Sequence, residues 1–121
     1  GELYLLQCTS TYPCEFKDVN LKVIPGLRER YRGKVKGVGF SGHHLGIALD
    51  IAAVALGASV IERHFTLDRT SKGTDHAASL EPEGMRRLVR DIRAFEQARG
   101  TSDKKRLDCE ISAWQKLRKI K

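Results

Sequence analysis

Two histidines set the first question of this sequence. His43 lies in Gly39-Phe40-Ser41-Gly42-His43-His44, and His64 lies in Val60-Ile61-Glu62-Arg63-His64-Phe65. In both segments a short apolar run stops abruptly at small, polar or metal-competent side chains. A βαβ unit of an α/β barrel places its working groups in that way, at the carboxyl ends of parallel strands. Side chains two residues apart share a strand face, so Ser41 projects with His43 and Glu62 with His64. If those faces adjoin, the two imidazoles can share one divalent ion and leave its other positions to water and substrate, as a catalytic ion requires. Nitrogen ligands beside carboxylates suit manganese, zinc, cobalt or iron. The competing reading is a pair of histidines hydrogen-bonded inside a core or a loop, and spacing alone does not separate the two.

Other residues extend the chemistry. Ser41 and Gly42 fall at an expected strand-to-helix junction, where free N–H groups and the helix dipole favour an anion such as phosphate; the alternative is a plain N-cap serine. Asp75, in a polar loop after Gly73-Thr74, is either a hydroxyl acceptor and proton carrier or an ordinary turn residue. Glu62, on the same face as His64, can hold a ligand or a nearby lysine in place, and as a buried charge it must be paired. Tyr12, just past the first strand, can stack on or hydrogen-bond a substrate or anchor a loop through Tyr12-Pro13.

These groups need a scaffold, and the hydrophobic pattern supplies one. Leu3–Ser10 reads as a buried strand with Leu6, Cys8 and Ser10 on one face. Asp18 is the expected N-cap of a helix reaching Tyr31, with Pro25-Gly26 inside it as a possible kink. A second strand runs from Val35 to Phe40 and ends at Ser41. Leu45–Leu56 is an apolar helix whose one polar interruption is Asp50, and Gly57 is suited to follow its end. Ser59–Leu67 forms the third strand, followed by a loop from Asp68 to Leu80. Pro82 opens the last long helix, in which Met85, Leu88, Val89, Ile92 and Phe95 recur at helical spacing up to Gly100. From Thr101 the chain becomes a charged connector, with Leu107, Ile111, Trp114 and Leu117 spaced for one or two amphipathic turns. Three strand-helix alternations imply an α/β protein with a parallel sheet. A full barrel needs roughly 250 residues, so the chain accounts for about three of eight units; it is either a small open α/β domain or a piece of a barrel, and its start within a strand favours the piece.

The 121 residues, 40% of them hydrophobic, suffice for one domain. No apolar run is long enough to span a bilayer and no signal-peptide layout opens the chain, so no membrane association is expected. Cys8, Cys14 and Cys109 are odd in number and form no paired metal motif, which fits a reducing, cytoplasmic setting. The net charge of +7 suits a phosphorylated or carboxylated substrate as well as nucleic acid. Because the basic residues lack interleaved aromatics, solvated surface is the preferred reading and no nucleic-acid partner is expected.

Four blocks carry a family resemblance. They are Gln7-Cys8-Thr9-Ser10-Thr11-Tyr12-Pro13 with Asp18-Val19-Asn20-Leu21, then Gly39–His43 with Ala52–Ala58, then Ile61–Asp68, and last Asp75-His76-Ala77-Ala78-Ser79-Leu80-Glu81-Pro82. In this order they resemble the sialic acid (N-acetylneuraminate) synthase family. The resemblance implies a (β/α)8 TIM barrel followed by a small antifreeze-like domain. It also implies a metal-dependent condensation of phosphoenolpyruvate with an N-acetylated hexosamine, typically N-acetylmannosamine. On that pattern residues 1–100 are the last three βα units and residues 101–121 a basic connector. His43 and His64 fall on metal ligands, with manganese first and magnesium, cobalt or zinc possible. Ser41 falls on a position that contacts phosphoenolpyruvate, and Tyr12 and Asp75 fall on sugar-contacting positions, Asp75 with a catalytic role. Ser10 stands where some members carry Asn, which leaves its substrate-binding role less defined. The family's catalytic glutamates and phosphate-binding lysines belong to the first half of the barrel, so the chain alone is expected to be inactive and the parent enzyme a homo-oligomer, with a dimer expected.

Legionaminic and pseudaminic acid synthases are the close alternatives within that class, and Asp75–Ser79 resembles the sialic and legionaminic branches more than the pseudaminic one. A metal-dependent barrel aldolase or hydrolase is a third. A reading of a different class is a non-catalytic basic module acting through Lys104–Lys121, which would show steeply salt-dependent DNA binding.

Overall fold

A computed structural model describes residues 1–73 and 76–118. Three strands, β1 (Tyr4–Cys8), β2 (Gly37–Gly42) and β3 (Val60–Arg63), form one sheet in the order β1-β2-β3. Both pairings are parallel: Tyr4 to Cys8 face Gly37 to Ser41, and Gly39 to Gly42 face Val60 to Arg63. Each parallel step needs a crossover. Helix α1 (Val23–Arg30) supplies the first and α2 (Ala48–Ala55) the second. Helix α3 (Pro82–Ala98) follows β3, and a short α4 (Ile111–Arg118) ends the described chain. Among the described residues no helix is long and apolar enough to cross a membrane.

Strand alternation divides the sheet into two faces. Leu5, Val38, Phe40 and Ile61 point to the helices and meet Val19, Ile24, Ala53 and Ala58 in the core. Ile24 and Ala53 have no exposed surface. The opposite, front face carries Leu6, Cys8, Gly39, Ser41, Val60 and Glu62, and no described helix covers it. Gly39 is required there by close approach, since a Cβ would sit 2.4 Å from the Val60 carbonyl oxygen and 2.5 Å from Leu6 Cδ2.

The elements fall where the hydrophobic pattern places them, but several boundaries differ, each for a polar reason. β1 stops at Cys8 rather than Ser10, because the Thr9 carbonyl turns away to accept from His43 Nδ1 and Thr11 N. Asp18 caps no α-helix. It closes a 3-10 turn (Phe16–Asp18), and its carbonyl accepts from Thr9 Oγ1 at 2.9 Å. Asn20 then takes a left-handed φ of 52°, which delays α1 to Val23. Pro25 is the third residue of α1, where its missing N–H would lack a partner anyway, so it need not break the helix. β2 runs to Gly42, past the expected end, held on both sides by β1 and β3. α2 begins at Ala48 and not Leu45, because Gly46 takes a left-handed φ of 83°, which turns the carbonyls of His44 and Gly46 to Arg63 and keeps the preceding residues out of the helix. Gly57, at φ 112°, ends α2 as expected: Ala58 N donates to the Ala53 carbonyl and Gly57 N to that of Val54, the paired bonds of a Schellman turn. β3 is four residues long, and Phe65 bridges in parallel only to Leu80. Pro82 opens α3 at its first position, as the sequence predicts.

Candidate active site

The front face of the sheet gathers the residues singled out by spacing. Ser41 ends up 6% exposed and His43 4%, at the carboxyl end of β2. His64 follows β3 and is half-buried. The ring centroids of His43 and His64 are 5.3 Å apart with planes inclined at 57°. Tyr12 reaches over both, with its ring 4.5 Å from His43 and 5.5 Å from His64, edge-on in each case. Tyr12 is brought to this place by the turn after β1, where the Tyr12-Pro13 peptide is cis and Cys14 N donates to the His43 carbonyl at 2.7 Å.

The tautomer of His43 is fixed by its neighbours. Nδ1 lies 3.0 Å from the Thr9 carbonyl oxygen, which can only accept, so Nδ1 carries the hydrogen and Nε2 keeps its lone pair. A ring held by a backbone carbonyl with its other nitrogen exposed to a ligand is the usual arrangement behind a metal-binding histidine. Two imidazoles bound to one ion through nitrogens at about 2.1 Å have centroids roughly 5 Å apart, and the observed 5.3 Å meets that requirement. Among the described residues, no three His, Cys, Asp or Glu side chains converge to complete a cage. Two protein ligands with further positions left to water and substrate remain the arrangement the residues fit.

Ser41 Oγ donates to Glu62 Oε1 at 2.7 Å, across the β2–β3 pairing in which the two residues face each other. Two expectations are corrected here. Ser41 and Gly42 are not at a helix start. They lie inside β2, and the first turn of α2 is six residues beyond Gly42, so neither the N-cap reading nor a helix dipole applies. Glu62 is not a buried charge; it is exposed, because the front face is uncovered. Ser10 is also exposed, 3.7 Å from Cys8 Sγ, and Cys8 Sγ in turn is 4.0 Å from His43 Nδ1. Asp75 lies outside the described residues. The loop that carries it is tied down on one side by His76 Nδ1, 2.7 Å from Thr66 Oγ1, and by Arg69, whose Nη2 donates to the Ala77 carbonyl at 3.1 Å.

Behind the sheet is a feature that pattern reading missed. Arg63 passes to the helix side of β3 and its Nη1 donates to Asp50 Oδ2 at 2.7 Å, with side chains 1% and 0% exposed. His44, fully buried, stacks on Phe40 with ring centroids 5.7 Å apart and lies 3.4 Å from the same Asp50 oxygen. The signal available was Asp50 alone in an apolar helix, a charge that needs a counterpart when buried. Nothing in linear spacing identifies Arg63 as that counterpart.

Comparison with known proteins gives a consistent result. The sequence profile of the NeuB family matches residues 1–104. Over 114 residues the chain is 51% identical to N-acetylneuraminate-9-phosphate synthase of Homo sapiens, covering 94% of this chain and 31% of the human protein. It is 46% identical over 109 residues to N,N'-diacetyllegionaminic acid synthase of Legionella pneumophila, covering 90% of this chain and 30% of that one. The crystal structure of N-acetylneuraminic acid (sialic acid) synthetase from Leptospira borgpetersenii serovar Hardjo-bovis, in complex with citrate, matches with a TM-score of 0.76 at 32% identity, over 97% of this chain and 40% of that one. The chain thus spans about a third of the length of these curated relatives. Its three parallel βα units correspond to part of a TIM-barrel synthase domain.

Proposed function

The chain belongs to the NeuB family, and from that premise we propose that it is the histidine-bearing sector of a sialic acid synthase whose parent condenses phosphoenolpyruvate with N-acetylmannosamine to give N-acetylneuraminate and phosphate. Residues 1–100 supply the last three βα units of the barrel, and the segment from residue 101 leads toward a further domain. The observation that carries the reading is the 5.3 Å approach of the His43 and His64 rings on the open face of the sheet. Legionaminic acid synthase is the nearest alternative, because a relative of that name matches almost as well as the human enzyme.

In the proposed reaction C3 of phosphoenolpyruvate bonds to the sugar's aldehyde carbon, water adds at C2, and phosphate leaves. His43 and His64 would hold a divalent ion, manganese first, which when bound would supply Lewis-acid polarisation and orientation of the reactants. The chain's own residues do the rest of the positioning. The Thr9 carbonyl holds the His43 ring so that Nε2 stays a lone-pair donor. Tyr12 lies edge-on to both imidazoles, which confines where a sugar can stand. The Ser41 hydroxyl hydrogen is directed at Glu62, so Ser41 can donate to an anionic substrate only after turning that hydrogen away. Ser41 is thus a contact that forms on binding. Asp75 takes a sugar hydroxyl or a proton in this scheme, and Ser10, exposed beside Cys8, contacts the substrate. The parent works as a homo-oligomer in the cytoplasm, and the chain alone is inactive because the remaining barrel strands carry the other catalytic groups.

Titrating the chain with Mn2+ and reading the free ion by electron paramagnetic resonance tests the site. Uptake is expected, and His43→Ala or His64→Ala should each weaken it by tenfold or more, on the order of the loss of one ligand. Equal uptake by both variants and the parent sequence would remove the metal reading. Consumption of phosphoenolpyruvate and N-acetylmannosamine by this chain alone would overturn the proposal that it is an inactive sector.

A further inference from the structure

We propose that Arg63 is the positioning residue that sets the two histidine-bearing strand ends in register with each other, and this rests on the proposed site at His43 and His64. The terminal nitrogens of a guanidinium carry two hydrogens each. Nη1 donates to Asp50 Oδ2 and to the Gly46 carbonyl, both at 2.7 Å. Nη2 donates to the His44 carbonyl at 2.8 Å and to the Ala78 carbonyl at 3.2 Å. All four hydrogens are engaged, three of them by backbone.

Those carbonyls belong to two different loops. His44 and Gly46 follow β2, immediately after His43, whereas Ala78 lies in the loop that returns after β3 and His64. Arg63 itself is the residue before His64. One planar group, anchored to α2 through Asp50, therefore fixes the chain on the far side of both candidate ligands. The rings meet on the front of the sheet, while the group that spaces them is buried behind it at 1% exposure. The β2–β3 pairing and single bonds add to this hold, among them Cys14 N to the His43 carbonyl at 2.7 Å, Leu80 N to the His64 carbonyl at 2.8 Å and His43 Nδ1 to the Thr9 carbonyl at 3.0 Å. Lysine cannot replace the fork, because its three hydrogens radiate from one atom and do not form the planar fan of a guanidinium.

The test uses Arg63→Lys and Arg63→Met in the 121-residue chain, with Ile24→Ala as a control that weakens the core without touching either loop. Amide hydrogen exchange is the first readout. In Arg63→Lys the Cys14 and Leu80 amides should both exchange faster, on the order of tenfold, as the two loops open together. The Tyr31 amide, bonded to the Leu27 carbonyl at the end of α1, should be unchanged. Mn2+ affinity is the second readout and should fall about 10–100-fold, as for loss of a group that orients ligands without binding the ion. The control should leave Mn2+ affinity alone. Arg63→Met should be the more severe variant; if it does not fold, Arg63→Lys carries the test. Unchanged exchange at Cys14 and Leu80, or equal acceleration at Tyr31, overturns the proposal. A parent chain that takes up no Mn2+ removes the metal reading instead, and the exchange measurement still decides the role of Arg63.

Discussion

Replacing Asp50 with alanine removes, among the described residues, the carboxylate that meets the Arg63 guanidinium. The magnitude follows from burial. Both side chains are essentially without exposed surface, so water neither screens the pair nor solvates the survivor. Breaking a buried pair by deleting one partner costs about 3–5 kcal/mol, mostly for the uncompensated charge left behind. A domain of this size has about 5–15 kcal/mol of total stability, so the variant should fold but be visibly weakened. With a urea dependence of about 1–3 kcal/mol per molar, the midpoint of unfolding followed by circular dichroism should drop on the order of 2 M. Glu29→Ala, which breaks the exposed pair with Arg32, should leave the midpoint where it is, because such pairs are screened and contribute little.

The double variant Asp50→Leu/Arg63→Met sharpens the reasoning. Substituting a buried ion pair by apolar residues is often neutral or stabilising, but here the guanidinium also serves three carbonyls. Leaving buried acceptors unpaired costs about 1–3 kcal/mol each. The double variant should therefore stay below the parent, yet lie above the sum of the two single losses by about 0.5–3 kcal/mol of coupling. Additive singles, or an Asp50→Ala loss under about 1 kcal/mol, would show that the pair is not a buried, closed contact and would refute its role in anchoring α2 to the sheet.

Three further outcomes are expected. Gly39→Ala should lower the melting temperature, costing about 1–3 kcal/mol as an overpacked site, since its Cβ would meet the Val60 carbonyl at 2.4 Å; Gly26→Ala, with nothing within 4 Å, should instead stabilise α1 by roughly 0.5–1 kcal/mol. The hydrogen bond from Arg86 draws the Glu83 carboxyl from its ordinary 4.5 down to about 2. Because the folded value is the lower one, the interaction is present above pH 4.5 and fades as pH falls toward 2; carbon-detected NMR should show a Glu83 midpoint near 2 that returns toward 4.5 in Arg86→Gln. The outer edges of β1 and β3 have no strand partner among the described residues, and open edges promote strand pairing between molecules, so light scattering should show mass rising with concentration; a clean monomer throughout would contradict this.

Much of the architecture was legible because it depends on local periodicity. Leu88, Ile92 and Phe95 recur on one side of α3, and Pro82 marks its start. The two-residue spacing of Ser41 with His43 and of Glu62 with His64 placed all four on the front face, and the Ser41–Glu62 bond and the His43–His64 approach follow from adjoining strands. Boundaries were less legible because tertiary acceptors decide them. Thr9 ends β1 by offering its carbonyl to His43, the Asp18 carbonyl accepts from Thr9 Oγ1 ahead of the left-handed Asn20, and the carbonyls of His44 and Gly46 turn to Arg63 around the left-handed Gly46. Each of these partners is nine or more residues away in sequence, and local periodicity does not say which of them meet.

Alternation along the strands links the legible half of the site to the hidden half. Successive residues of a strand must face opposite sides, so a side chain that meets substrate in front has neighbours committed to the core behind. His43 is followed by His44, which stacks on Phe40 at the back; His64 is preceded by Arg63, which grips Asp50. A pair of imidazoles needs a fixed separation to be of chemical use, and in front the Thr9 carbonyl and the Tyr12 ring contribute to it. A further restraint on the backbone comes from its other side, one residue away. This fits the chemically suggestive runs being contiguous blocks and not isolated histidines: Gly39–His44 and Ile61–His64 each interleave candidate site residues in front with residues that hold the backbone behind. A graft of His43 and His64 onto another parallel pair, without Arg63, Asp50 and the carbonyls they engage, should therefore reproduce the candidate ligands and loosen the spacing between them.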